Sequence, residues 1–433
     1  MNTRSRYSWK SGDTRLRFWA FTYAVVDLVH VALPDFEQVG WGPPGILIVL
    51  SSLLMFHRPY PGAFLLAVLA HAWTLLGLRD VLTQSMLLLI FGMIGFVVSI
   101  RWRPRLFRGM AHITGVTYLA AAIHKLNTNF LDLELSCAVH ALNQVEVHWG
   151  VIFPDAFRGL SPHVALGIEL ALWVSLSFRS RWYWLLAVAF HLPLLVTLAP
   201  AFGAVMFCGA ACMIEPRDLV RMKRLMAKRY RLFLAIGFLS VGLEYFLAGG
   251  WLSWTQPLQV GGYIVAGLTL FTAMRKEIFP RPANTWLGWC WLLFCLTPYL
   301  GLQYQHTAAM LSNLRVDTGC HNSLIFPKAW VGQDTYVRIQ TASFGTDEWS
   351  DREDILEAGL WNEAALFTMR RKWCVDWVRP ISMTIEYRGN KFELDDICHA
   401  DAFDFIPARF HSFPQFQRFQ KNLTRKCDQA CIH

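Results

Sequence analysis

Charge is what this chain has least of. Only 16% of its 433 residues are Asp, Glu, Lys or Arg, against 54% hydrophobic, and mean hydropathy is +0.32. A soluble domain carries about 25% charged residues and lacks repeated long apolar runs. The shortage excludes a soluble enzyme, a disordered chain and a basic nucleic-acid-binding protein. A removable leader is lacking as well: the chain stays polar up to Arg17, with no short apolar core and no small-residue cleavage site. The first apolar run is therefore expected to act as its own uncleaved signal. No internal repeat and no low-complexity tract is visible, which counts against a transporter built from duplicated halves.

Apolar runs dominate instead, at 17–33, 43–56, 61–78, 82–100, 109–126, 163–178, 182–198, 200–214, 232–250, 260–274 and 286–304. Several fall short of the roughly 20 residues that cross a bilayer core, and Pro193 and Pro200 break one pair, so the reading is eleven spans within a range of eight to eleven. The expected fold class is an all-α polytopic membrane domain over 1–304, followed by a small extracytoplasmic α+β domain over 305–433.

Positive charge sorts by side. Residues 1–304 hold 25 Lys+Arg and 14 Asp+Glu, and residues 305–433 hold 15 and 17. With the N-terminus inside, the inner segments carry 22 Lys+Arg and the outer connections only Arg79 and Arg158. Such a bias places the N-terminus in the cytoplasm and the C-terminal domain in the periplasm, a lumen or the exterior. The excess reports orientation rather than a nucleic-acid partner. Within the inner segment 217–231, Leu219, Met222 and Met226 share a helical face among Arg and Lys. That pattern fits an interfacial helix on the inner headgroups, or simply a solvated charge run.

Beyond residue 306 the composition becomes that of a water-soluble domain. Ser350 and Glu353 form a capping-box pattern that predicts a helix over about 351–372. Thr335 to Ile339 reads as a strand. Ile381, Met383, Ile385 and Tyr387 alternate with polar residues, and Gly389-Asn390 turns into Lys391-Phe392-Glu393-Leu394, a hairpin. Cys137, Cys320, Cys374, Cys398, Cys427 and Cys431 all fall on the outer side, an even number that allows three disulfides in fifteen pairings. Cys208, Cys212, Cys290 and Cys295 lie in spans as inert core residues. Asn422-Leu423-Thr424 is a glycosylation sequon, and Cys427, Cys431 and His433 make an incomplete zinc set without an evident fourth ligand.

Ionisable groups at membrane depth cost on the order of 2.5–3.5 kcal/mol each and demand a role. Asp27 and His30, three apart on one face, are expected to satisfy each other, and His71 to serve as a helix-packing donor. Glu244 lies toward the outer end of its run. His124-Lys125 ends the segment Tyr118-Leu-Ala-Ala-Ala-Ile-His-Lys-Leu-Asn127. Ala120, Ala121 and Ala122 let another helix approach closely. A lysine held there is either snorkelling to the interface or a desolvated base active near neutrality, and both readings stay open on the residues alone.

Tyr118 through Asn127 with Thr-Asn-Phe-Leu131 resembles the lysine-bearing segment of vitamin K-dependent γ-glutamyl carboxylase, within the broader group sharing the horizontally transferred transmembrane (HTTM) domain. Lys125 falls on the family's lysine. Gly167-Ile-Glu169-Leu-Ala is similar to the group's glutamate helix, and Phe190-His191-Leu192 to its later histidine helix. Met310-Leu-Ser-Asn-Leu-Arg315 and His321-Asn-Ser-Leu-Ile-Phe-Pro327 look like the junction into the outer domain of bacterial members. The resemblance implies Lys125, Glu169 and His191 as catalytic residues and Tyr118, His124 and Asn127 as cofactor-binding. It also implies a quinol such as vitamin K hydroquinone, whose proton the lysine removes before oxygen-driven carboxylation. One departure stands out: where the carboxylases carry an Asn-His pair, this chain has Val81-Leu-Thr83-Gln84-Ser85.

Three functions compete. The first is a quinol- or lipid-dependent carboxylase-like enzyme using Lys125. The second is a non-catalytic structural or assembly subunit of a larger membrane complex, docking a protein partner through the C-terminal domain. The third is a transporter with Glu169, Asp27, His191 and the Pro-broken 182–214 segment along a path. Membrane lipids are expected partners in each.

Overall fold

The computed structural model describes residues 3–32, 42–77, 83–197, 199, 201–247, 255–274, 285–300, 308, 311–316, 320–326, 336–344, 350–361, 363, 366–367, 370, 373–374, 380–399, 401–406, 423–428 and 431. Arg79, Pro200, Met310, Pro327, Thr335, Asn422 and His433 lie outside them.

All eleven apolar runs fall on helices. In order they are α1 (Thr3–Ala32), α2 (Pro43–His57), α3 (Pro61–Gly77), α4 (Thr83–Ile100), α5 (Pro104–Lys125), α6 (Thr128–Leu131), α7 (Cys137–Trp149), α8 (Asp155–Ser177), α9 (Trp182–Val196), α10 (Phe202–Ala211), α11 (Pro216–Leu247), α12 (Thr255–Ala273) and α13 (Trp286–Cys295). Proline opens α2, α3, α5 and α11, where its missing N–H removes nothing a helix needs and its fixed φ suits the first turn. Among the described residues, α4 and α8 are long and apolar enough to cross a membrane, and six other apolar helices or helix segments have 10–17 residues. α11 carries the basic stretch 217–231 straight into the 232–250 run, with a break in helical geometry at Arg229.

The helical core is aromatic and close-packed. Trp19 stacks on Phe64 and donates through Nε1 to the Cys208 carbonyl, and the Tyr23 hydroxyl donates to the Leu88 carbonyl, tying α1 to α3, α10 and α4. The pairing expected between Asp27 and His30 does not form. Asp27 hydrogen-bonds His71 on α3 at 3.0 Å, while His30 meets Ser85 on α4 at 3.4 Å. Partners on separate helices reach better than two groups on one.

The C-terminal unit is a five-stranded antiparallel sheet in the order β4-β3-β1-β2-β5, built from β1 (Val337–Ser343), β2 (Gly359–Trp361), β3 (Ser382–Tyr387), β4 (Asn390–Leu394) and β5 (Leu423–Thr424). Ile381, Met383, Ile385 and Tyr387 are all buried, as their alternation requires. The hairpin turns one residue earlier than expected: Arg388 and Gly389, both at positive φ, are its central residues, and Tyr387 pairs with Asn390. The single helix expected over 351–372 is not formed. α14 (Ser350–Ala358) stops where Gly359 enters β2, and helical residues resume at Glu363. Pairing of Leu360 with Arg338 wins over continuation of the helix.

Three disulfides, Cys137–Cys431, Cys320–Cys427 and Cys374–Cys398, pair all six cysteines assigned to the outer side. Cys427 and Cys431 are thereby consumed, which removes two ligands from the zinc alternative. Cys208, Cys212, Cys290 and Cys295 are free, and of these Cys290 is exposed rather than part of the core.

The first two disulfides belong to a clasp at the end of α5. Asn127 Nδ2 donates to the carbonyls of His124 and Ser312, and Asn127 Oδ1 caps α6 by accepting from the Phe130 N–H. Fully buried Arg315 donates to the Lys426 carbonyl, and Asn129 donates to the Cys427 carbonyl. Asn313 adopts a left-handed conformation in which its Oδ1 accepts from Cys137 N–H and its Nδ2 donates to the Leu135 carbonyl.

Candidate functional site

The site begins with two helices that each place one ionisable side chain inward. α5 presents a face of Ala120, Ala121 and Ala122, small enough for close approach, and ends in Lys125. α8 packs along α5 and turns Glu169 toward it. Lys125 Nζ donates to Glu169 Oε1 at 2.7 Å, with the two residues 6% and 3% exposed. Burial makes either charge alone costly, so each side chain secures the other. Glu169 Oε2 nonetheless has no hydrogen-bond partner, and the Lys125 ammonium also lies 5.6 Å from the Phe130 ring centre.

This pair lines a cavity of about 350 Å³, within the usual range for small-molecule sites. α7 contributes Ala138, Ala141, Leu142, Val145 and Trp149 to the wall, and α9 contributes Phe190, Pro193 and Leu194. α8 supplies Phe157, Ser161, Val164, Ala165 and Ile168 before Glu169. Phe157 to Glu169 spans about 18 Å of helix at 1.5 Å per residue, so the cavity is long. Among the described residues, Ser161 is the one hydroxyl in an otherwise apolar wall, and polarity concentrates at Lys125 and Glu169. Pro193 cannot donate to the Ala189 carbonyl, and both residues line the cavity, so α9 is interrupted at its wall.

The other expected site residues divide. Tyr118 Oη and His191 Nε2 share a 2.7 Å hydrogen bond, and Tyr118 also meets the Tyr183 hydroxyl at 3.4 Å. This network sits behind the wall, because neither Tyr118 nor His191 lines the cavity while the neighbouring Phe190 does. His124 stacks on Tyr299 and hydrogen-bonds its hydroxyl at 3.0 Å. With Asn127 it belongs to the clasp, and neither reaches the cavity. Asp27 and Glu169 are engaged in separate pairs, with His71 of α3 and Lys125 of α5.

Sequence reasoning missed α7. The stripe Ala138, Ala141, Leu142, Val145 and Trp149 has helical spacing and was there to be read, but it lies in a stretch taken as an outer connection. It also missed the role of Glu244, which accepts from His148 Nε2 at 2.6 Å and from Trp149 Nε1 at 2.8 Å.

No family model, curated protein or solved structure matches this chain. What the fold and the site define is a class: a helical protein with a disulfide-clasped C-terminal sheet unit and a long apolar cavity ending in a buried Lys–Glu pair.

Proposed function

We propose that this chain is a multi-span membrane protein that binds a quinol-type or related isoprenoid lipid, with the head group at Lys125 and Glu169, and that it acts as a carboxylase-like enzyme in which Lys125, once its proton has passed to Glu169, serves as the base. The observation that carries this reading is the juxtaposition of a long apolar cavity with one buried cation and one unpartnered carboxylate oxygen at its end. A lipid hydroxyl fits that end, since Lys125 can donate to it and Glu169 Oε2 can accept from it. A bound hydroquinone would supply the reducing equivalents and the oxygen-reactive ring. Glu169 orients the Lys125 amine, and the apolar walls exclude water from it. Tyr118 and His191 buttress α5 against α9 from behind.

Topology supports the reading. The 22-to-2 distribution of Lys+Arg supports an extracytoplasmic position for the C-terminal unit, and pairing of Cys137 and of that unit's five cysteines in disulfides is consistent with it. The multi-pass arrangement extends from α4 and α8 to the shorter apolar helices beside them.

A second reading, a non-catalytic subunit, is favoured by one observation. Thr83, Gln84 and Ser85 are buried at the start of α4 with no histidine among them, and Lys125 is already neutralised. The test is purified protein given a geranylgeranyl naphthohydroquinone, oxygen and labelled bicarbonate with glutamate-containing peptides. Incorporation that vanishes in Lys125→Ala supports the enzyme. Probe binding without incorporation overturns the enzymatic reading and leaves the subunit, and failure of the probe to bind overturns both the lipid and the base.

A further inference from the structure

Four apolar helices each bring one polar side chain to the same level, and none of the four side chains lines the Lys125 cavity. The register shows the convergence. On α1 and α2, which run antiparallel, Phe21 meets Phe56 and Val31 clusters with Ile48, so Asp27 of α1 falls level with Ser52 of α2. On α1 and α4, also antiparallel, Tyr23 reaches the Leu88 carbonyl and His30 meets Ser85, which brings Gln84 to the same height. α3 delivers His71, whose Nε2 lies 3.0 Å from Asp27 Oδ1. Asp27, Ser52, His71 and Gln84 are all no more than 2% exposed.

Each of the four ends in an orphan. Asp27 Oδ2, Ser52 Oγ, His71 Nδ1 and Gln84 Oε1 are buried and have no hydrogen-bond partner among the described residues. Native interiors rarely leave one such atom without cause, and four on four helices ask for a shared one. The Asp27 carboxylate sets its sign. Among the described residues no Lys or Arg pairs with it, and His71 is its one ionic partner. A protonated His71 would neutralise the carboxylate, yet it would bury an Nδ1–H with no acceptor. Protonating Asp27 instead would bury an Oδ2–H in the same way. A neutral His71 donates through Nε2, and the negative charge of Asp27 then stands uncompensated. Ionised Asp27 Oδ2 and Gln84 Oε1 can only accept. A water molecule would satisfy these oxygens and leave the charge; a cation does both. One carboxylate balances one unit of charge, and among the described residues no three His, Cys, Asp or Glu gather to hold a transition metal. Hard oxygen donors with a single negative charge suit an alkali ion.

We propose that Asp27 Oδ2, Gln84 Oε1 and Ser52 Oγ hold a monovalent alkali cation, sodium or potassium, where α1, α2, α3 and α4 meet, while His71 holds the other carboxylate oxygen. An ionisable residue deep in an apolar helix needs such a partner, and the ion joins helices that otherwise face one another through unpaired polar atoms. The site stands whether or not the cavity at Lys125 binds a lipid.

The test is binding of radioactive sodium and, as the stand-in for potassium, radioactive rubidium to the full-length protein in detergent, with N-methylglucamine as the inert cation. Wild type should bind one ion per chain, and the tighter of the two probes names the ion. Asp27→Asn, whose amide oxygen still accepts from His71, removes the charge and should weaken binding about tenfold or more. Ser52→Ala and Gln84→Leu each remove one oxygen and no charge, and each should weaken binding about threefold or more. They keep the proposal falsifiable where Asp27→Asn fails to fold. The melting temperature should rise with the bound ion in wild type and stay flat in Asp27→Asn. No binding above the N-methylglucamine background overturns the proposal and leaves water at this level. Binding that the variants retain at wild-type strength also overturns it, because the ion then sits elsewhere.

Discussion

Lys125 and Glu169, on helices far apart in sequence, form a 2.7 Å ion pair in the wall of an apolar cavity. A buried pair of this kind is costly to break and cheap to replace whole. Removing one partner strands the other charge and destabilises by roughly 3–5 kcal/mol, whereas an apolar pair of similar volume is near neutral. Lys125→Ala and Glu169→Leu should therefore each lower the melting temperature strongly. Lys125→Met with Glu169→Leu should recover it, yet lose binding of a hydroquinone probe. Thermal unfolding and probe binding on the same four proteins check this. If the double variant still binds the probe, the pair is scaffold only.

The clasp makes its own prediction. Alkylation of the unreduced, folded chain with a membrane-permeant maleimide should label Cys290, the one exposed free cysteine. Denaturation should add Cys208, Cys212 and Cys295, and only reduction should reach the remaining six of the ten cysteines. Replacing Cys320 and Cys427 by serine should cost about 2–5 kcal/mol, because that bond closes a long loop, its two cysteines standing 107 residues apart. Intact-mass counting of adducts decides the pairing, and denaturant unfolding decides the cost.

Much of this was legible in the residues. Apolar length marked all eleven helical runs, because burial and backbone satisfaction impose the same pattern whatever the neighbours are. Alternation marked β3, and the even set of outer cysteines marked three bonds. The partners were not legible. Asp27 and His30 share a helix face, but the choice of His71 over His30 depends on how α1 and α3 pack. Lys125 and Glu169 could be named as buried charges, while their contact required α5 and α8 to lie side by side. The contacts of His124 with Tyr299 and of Asn127 with the Ser312 carbonyl join residues about 175–185 apart in sequence, so no local pattern announces them. α7 escaped since alanines carry too little hydrophobicity to announce a wall.

Gly209 tests how tightly α10 is held against its neighbours. A Cβ there would meet the Thr114 hydroxyl of α5 and stand 2.6 Å from Phe91 Cζ of α4. Neither neighbour has room to retreat, since both are fully buried. Gly209→Ala should destabilise by about 1–3 kcal/mol through overpacking, despite alanine's better helix propensity. Gly167→Ala, on α8 with nothing within 4 Å, is the control and should be neutral or slightly stabilising. Equal melting temperatures for the two variants would contradict the close approach of α10.

The C-terminal sheet unit carries a titration that can be read at high pH. Tyr387 ends β3 and donates its hydroxyl to Glu363 at 3.1 Å. Burial, followed by the adjacent Glu363 carboxylate, pushes the phenol up from 10.0 to about 12. The folded unit thus keeps a proton that the unfolded chain has released between those values. Its contribution is complete below pH 10, falls as pH rises toward 12, and is gone above that. Stability of the wild-type protein should drop more steeply across this window than that of Tyr387→Phe, which has no phenol to ionise. Unfolding of the sheet unit followed at pH 9, 10, 11 and 12 in both proteins measures the difference. Parallel curves would show that the Tyr387–Glu363 contact does not hold the phenol protonated.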